Sequence, residues 1–384
     1  MLSIIFKLVK AKWIFKKPNK KNILIYDRES TEIYSIQFFS RKKNYEILDT
    51  RYESINIYVL CLTLLTSGIR NFRDNYKKIF IKLVSPKIVY TCIDNNLAFY
   101  KLKNIYDRPK YISIQNGMRN NSSFFQNDFY KECKHYIQKT NKKLKVDHVF
   151  LFGQNDKKNF SHIVAANTHV VGSPLNNHFS IQPKKSQRKI NSIMFISQYT
   201  LPMLNKPDLP YNIFRQKKEK QIFSHLVKFC KKKNIQLNFL AKTYNKKYLN
   251  EAFFRNYLEK GNWIFHPHEN IKRTYETLNK QQMVVFHGST LGFEALAKSL
   301  RCACFIANFP VANSHVKYPK SGPFWTNSNN YSNFEKTINR VIGFSNKRWK
   351  KIVDKYSAEI LIYDRNNDIL IKNFKRIISI KDYR

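Results

Sequence analysis

The chain has 384 residues, enough for two domains of ordinary size. Its 43% hydrophobic and 15% aromatic content excludes global disorder. The 69 Lys and Arg against 26 Asp and Glu leave a net charge of +43, which favours anionic partners: nucleic acid, an anionic membrane face or phosphorylated substrates. Lys, Asn, Ile and Tyr crowd the whole length and the basic residues gather in no single arm. That is the signature of drift in an AT-rich genome, with anion attraction as a by-product.

The opening stretch, MLSIIFKLVKAKWIFKKPNKK, interleaves lysines with apolar residues and lacks a small-residue cleavage site, so it makes a poor signal peptide. It reads either as a basic amphipathic helix lying on an anionic membrane surface or as an ordinary N-terminal helix or frayed tail. No run reaches the roughly 18 apolar residues of a membrane span. Strands are expected at Asn22–Tyr26, Glu46–Leu48, Ile88–Cys92, Tyr111–Ile114, His148–Phe152 and His169–Val171. A second set is expected at Ser192–Ile196, Gln236–Leu240, Trp263–Phe265, Met283–Phe286 and Ala303–Ile306. Each is apolar, β-branched or aromatic, stops at polar or Gly residues, and is followed by a longer helical stretch. Such alternation predicts an α/β chain of βα units with parallel sheets. The polar, Pro-containing Ser180–Lys189 reads as a linker. The expected organisation is therefore two doubly wound domains, 1–180 and 190–345, and a helical, basic tail over 346–384. Cys61, Cys92, Cys133, Cys230, Cys302 and Cys304 make no Cys-x-x-Cys pair, and the last two have strand spacing in an apolar run, as core-filling residues do. No disulfide framework or zinc site is expected, which fits a reducing cytoplasm.

In open α/β sheets ligands bind beyond the carboxyl ends of the strands, so the residues there are the candidates for chemistry. Asp49–Ser54 follows the second strand, where an acceptor can lie. After the third strand come Asp94, Asn95 and Asn96, a carboxylate and two amides that suit a base, a nucleophile or hydroxyl anchors, or else a plain helix cap. Gln115, Asn116 and Arg119 follow the fourth; the amides match sugar hydroxyls, the guanidinium a carboxylate or phosphate, and Asn116-Gly117 is equally an ordinary turn. Ser197 ends the first strand of the second set. His266, Pro267 and His268 end another, where a histidine such as His266 can donate to a phosphate oxygen or act catalytically as a general acid on a leaving phosphate; two histidines without a third ligand argue against a metal. The strongest pattern is VVFHGSTLGFEALAKSL, a strand running through Gly288 into Ser289 and Thr290 and then a helix carrying Glu294. Free N–H groups and the positive end of the helix dipole favour phosphate there, and a simple Ser/Thr cap is the alternative. Trp325 and Phe324, on a Gly-Pro loop, suit stacking on a base or sugar, or an aromatic plug between domains. There is no Gly-x-Gly-x-x-Gly fingerprint, no P-loop, no Gly-x-Ser-x-Gly elbow and no RNA-binding sheet signature.

Eight segments in one order, ILDTRYESINIYVL, VYTCIDNN, YISIQNGMR, DHVFLFG, VVGSPLNN, MFISQY, VVFHGSTLGFEALA and SGPFWT, run from Ile47 to Thr326. In that order they resemble the bacterial surface carbohydrate biosynthesis proteins of the Leptospira O-antigen type. The resemblance implies a GT-B glycosyltransferase related to the Kdo and sialic-acid transferases that use CMP-sugars. It implies a cytoplasmic enzyme, peripheral on the inner membrane face, that takes a nucleotide sugar and a lipid-linked or growing glycan and binds no specific nucleic acid. Carried over, the HP motif matches His266-Pro267 and the Ser/Thr motif matches Ser289-Thr290, which would hold the CMP phosphate with Gly288 and Glu294. Ser197 and Trp325 would place the nucleotide. Asp94 would be base or nucleophile, with Asn95, Asn96, Gln115, Asn116 and Arg119 facing sugar or acceptor. No metal or further cofactor is implied. The family often carries an acid shortly before the VVF strand, where this chain has Leu278-Asn279-Lys280-Gln281-Gln282. An inactive glycan-binding homologue is therefore one alternative; a basic nucleic-acid-binding protein with salt-steep affinity is another.

Overall fold

The computed structural model describes residues 9–31, 44–118, 129–179, 190–305 and 318–377. The first half holds strands β1 (Lys12–Ile14), β2 (Ile23–Tyr26), β3 (Tyr45–Leu48), β4 (Ser54–Asn56), β5 (Ile88–Thr91), β6 (Lys110–Ile114), β7 (Leu144–Leu151) and β8 (Val164–Val170). Its main helices are α1 (Ile57–Ser67), α2 (Phe72–Val84), α3 (Phe129–Thr140), α4 (Gln154–Ser161) and α5 (Pro174–His178). Six strands form one parallel sheet in the order β3-β2-β5-β6-β7-β8. The second half holds β9 (Ser192–Ile196), β10 (Gln236–Leu240), β11 (Trp263–His266), β12 (Met283–Phe286) and β13 (Arg301–Cys304). These form a second parallel sheet in the order β11-β10-β9-β12-β13. Its helices are α6 (Pro210–Lys233), α7 (Glu251–Tyr257), α8 (Ile271–Asn279), α9 (Thr290–Ala297) and α10 (Tyr331–Gly343). The strand order reverses between β2 and β5 and again between β9 and β12, and such switch points open a crevice at the carboxyl ends of the strands.

The expected α/β architecture, two Rossmann-like sheets facing a cleft, is the one observed. The physical reason is that a parallel strand covered on both faces must be apolar throughout. All four residues of β2, β5 and β12 are buried, as are the last four of β9. The 24-residue α6 covers the second sheet and ends with Lys231, Lys232 and Lys233 against the negative end of its dipole. Asn234 then stops it in the left-handed conformation.

The expectations for the two ends of the chain change. Lys12–Ile14 is extended and pairs in parallel with Ser54–Asn56, so an N-terminal helix cannot run through the first 21 residues; residues 1–8 lie outside the described residues. The linker at 180–189 also lies outside them. The described part of the expected tail, 346–377, is largely helical as expected but packs against both cores, and 378–384 lie outside the described residues. Helix α11 (Asn346–Ile360) buries Trp349, Val353 and Ile360 in the second-domain core. Helix α12 (Asp368–Ile377) then lays Leu370 and Phe374 against Ile23, Tyr90 and Phe150 of the first.

Candidate functional site

The carboxyl ends of β9, β10, β11 and β12 face a cavity of about 240 Å³, closed on the first-domain side by Asn116 and Leu175. Its second-domain wall includes Lys242, His268, Tyr275, Ser289, Thr290 and Glu294. Local sequence explains the wall. Gly288, at φ +73°, turns the chain out of the buried β12 in a conformation that side chains resist. Ser289 is extended and caps α9, yet its hydroxyl makes no capping bond to the helix. The first N–H groups of α9 therefore lie beside the cavity under the positive end of the dipole. Gly292 brings that helix close: a Cβ there would stand 2.2 Å from the Phe286 ring.

Two domains meet on this helix. The Thr290 hydroxyl accepts the Met118 N–H at 3.0 Å. The Glu294 carboxylate accepts from the Ser173 hydroxyl and, at 2.7 Å, from the Tyr275 hydroxyl. Asn176 donates to the Glu294 carbonyl at 3.1 Å, and Lys298 donates to the carbonyl of Phe179. Burial raises the Glu294 carboxyl above its ordinary range and lowers the Lys298 ammonium to about 8.

Behind the cavity lies a network that the sequence did not announce. Glu219 is wholly buried and accepts from Ser197 Oγ at 2.6 Å and from the Gln198 N–H at 2.7 Å, with His287 Nε2 at 3.3 Å. It thereby fixes the loop after β9. Gln198 in turn receives two cations on one amide oxygen, Lys242 at 3.1 Å and Arg215 at 3.0 Å. Lys242 reaches solvent within the concave cleft wall, and burial there, together with nearby Arg215, lowers its pKa to about 8. Lys242 lines the cavity together with the start of α9, and a cation beside a helix N-terminus favours an anion with several oxygens. The signals in the sequence were slight: Lys242 stands two residues past β10, and Glu219 is the lone carboxylate of α6.

The remaining candidates separate. His266 does not line the cavity: its Nε2 meets Asn238 Oδ1 at 2.9 Å, back along the sheet, and His268 lines it instead, with Nδ1 at 2.6 Å from the Thr274 hydroxyl. Burial lowers the pKa of both rings, and Lys280 adds to the effect on His266. Pro267 joins the two. Ser197 points at Glu219 and is fully buried. Trp325 is also fully buried, donating to the Pro319 carbonyl at 3.1 Å and packing on Tyr356; it is an aromatic plug and does not reach the cavity.

On the first-domain side, Asp94 is wholly buried and accepts the Asn116 N–H at 3.0 Å, so it shapes the loop that closes the cavity. Gln115 is buried as well; it donates to Gly117 and Asp156 and accepts from Phe152, leaving Asn116 alone of the pair at the cavity. Asn95 and Asn96 open instead onto a separate depression of about 480 Å³ with Arg51, Lys101 and Glu132. Arg119 lies outside the described residues. Gln281 accepts from Ser192 at the amino end of β9. That is the end of the sheet away from the cavity. Among the described residues no three His, Cys, Asp or Glu gather as metal ligands would, and no helix is long and apolar enough to cross a membrane.

A family described as "putative O-antigen biosynthesis protein" matches residues 112–378. A comparison with curated proteins found no match. Among solved structures, the S. aureus MnaA–UDP co-structure is 12% identical and superposes with a TM-score of 0.52, covering 94% of this chain and 97% of that one. The UDP-GlcNAc 2-epimerase of Neisseria meningitidis bound to UDP-GlcNAc is 9% identical with a TM-score of 0.51, over 92% and 99%. The Methanocaldococcus jannaschii UDP-GlcNAc 2-epimerase in complex with UDP-GlcNAc and UDP is 11% identical with a TM-score of 0.50, over 88% and 99%. At these identities the likeness is one of fold.

Proposed function

The chain belongs to this family of O-antigen biosynthesis proteins, and on that premise we propose that it is a nucleotide-sugar enzyme of bacterial surface polysaccharide assembly. In this reading it transfers a sugar from a nucleotide donor to a lipid-linked or growing glycan. The observation that carries it is the anion-ready wall of the cleft: the start of α9 with Ser289 and Thr290, His268 and Lys242, all lining the cavity at the carboxyl ends of the second sheet, with Arg215 sharing the Gln198 oxygen with Lys242. A departing nucleotide phosphate develops charge there, and fixed donors stabilise it without reorganising. A CMP-activated acid sugar such as Kdo is the donor we favour, since the resemblance placed a phosphate contact at Ser289-Thr290. The acceptor would enter from the side of Asn116.

A second reading, inversion at a sugar carbon while the nucleotide stays attached, draws on the full-length likeness to UDP-GlcNAc 2-epimerases. One experiment separates them. Purified protein is incubated with CMP-Kdo, CMP-sialic acid, UDP-GlcNAc and a GDP-sugar and followed by NMR. Release of free nucleotide supports transfer or its hydrolytic side reaction. A changed sugar on an intact nucleotide supports epimerisation. No binding of any nucleotide sinks both.

A further inference from the structure

Helix α1 has eleven residues and not one charge, yet only Val59 and Thr63 are buried. An apolar helix in water normally hides its greasy face. Here Leu65 is 85% exposed, and Ile69 just beyond the helix is 84% exposed. The start of α1 is tied to β1: Asn56 caps the helix through the Val59 N–H and donates to the Lys16 carbonyl at 2.9 Å. On β1 and just past it, Trp13 and Phe15 are exposed too, alongside exposed Lys12, Lys16, Lys17 and Lys20. Arg70 and Arg73, also exposed, follow the other end of α1. No Asp or Glu occurs in residues 1–26 or 54–73.

We propose that β1 and α1 form a face that docks on an anionic phospholipid surface. Charge complementarity selects this occupant. A face that is apolar at its centre and mainly basic at its rim, with acids only at its borders in Glu53 and Asp74, matches acyl chains beneath phosphate headgroups, where Trp sits well at the boundary. The eleven-residue helix is about 16 Å long, too short to span a bilayer, so it lies in the interface. The face is built from other residues than the cleft, and the proposal stands apart from the donor chemistry.

The four tryptophans make a test. Trp263, Trp325 and Trp349 are 3%, 0% and 4% exposed, whereas Trp13 is 44% exposed. Adding equimolar phosphatidylglycerol–phosphatidylethanolamine vesicles to the full chain is expected to shift its fluorescence to the blue, and Trp13→Phe is expected to abolish the shift. Brominated lipid is expected to quench the same signal. Leu65→Gln with Ile69→Gln, both at positions with little packing to lose, is expected to lower vesicle partitioning about tenfold with an unchanged melting curve. Three results overturn the proposal: no shift and no sedimentation with these vesicles; sedimentation lost in high salt yet unaffected by the double variant, which is bulk charge attraction alone; or a dimer that the double variant disrupts while vesicle binding persists.

Discussion

The hydroxyl of Ser173, in the first domain, donates to the carboxylate of Glu294 on a helix of the second, and the two groups are buried together. The same carboxylate holds Tyr275, whose ring stacks on Phe179 at 5.1 Å. One side chain thus orders the cavity wall and joins the domains.

Glu294→Ala would strand two buried hydroxyls, and we expect a loss of about 2–4 kcal/mol in urea unfolding. The pH dependence has a definite sign. Burial raises the folded-state pKa above 4.5, so the folded protein favours the neutral carboxyl. Its contribution is fully present below 4.5 and is lost as pH climbs through the raised value. Wild type should lose stability relative to Glu294→Gln over that window. Parallel curves would show that Glu294 does not titrate there.

Lys242 should govern the pH profile of nucleotide binding. Its pKa of about 8 means that the ammonium is present below that pH and fades above it. Calorimetric affinity for CMP or UDP should fall as pH rises through and past about 8. Lys242→Met should weaken binding by about 1.5–3 kcal/mol at lower pH, roughly ten- to hundredfold. Lys242→Arg should flatten the profile; a profile unchanged by it removes Lys242 from the site.

The two histidines of the HP turn should behave differently. His268→Ala is expected to weaken nucleotide binding about tenfold, since His268 faces the cavity. His266→Ala should leave binding intact and cost about 1 kcal/mol of stability, because it breaks only the bond to Asn238. Titration calorimetry and thermal melts on both variants decide it; the reverse result restores the phosphate role to His266.

Gly292→Ala tests the approach of α9 to its strand. A methyl group 2.2 Å from the Phe286 ring forces the helix outward. A destabilisation of about 1–3 kcal/mol is expected, with weaker nucleotide binding because the helix start moves. A melt within error of wild type would mean that the packing is looser than the geometry requires.

The buried strands of the two large sheets were legible, because buried parallel strands must be apolar and end abruptly at polar residues, whereas the half-exposed β8 (VAANTHV) was caught only at its end, His169 and Val170. Strands β1 and β4 were missed, since three residues give no periodicity to read. Ser289 and Thr290 were legible from their place after a strand. What sequence could not supply was direction. His266 and His268 are two residues apart, and only the path of the turn decides which ring faces the cleft. Gln115 and Asn116 are adjacent, yet one is consumed by Phe152, Asp156 and Gly117 while the other meets the cavity. Trp325 reads equally as a stacking platform or a plug until its burial is known.

The return of the chain through α12 puts the described start and end of the polypeptide in the same domain, so the second domain is carried on two covalent crossings. The returning crossing, over 364–367, is stitched to 174–177. Asn177 donates to Asn367 at 3.0 Å and accepts the Asp364 N–H at 2.9 Å, and Asn367 donates to the Pro174 carbonyl at 2.9 Å. The returning chain is thus pinned beside Ser173, the residue that holds Glu294, so one cluster ties the covalent return to the cavity wall.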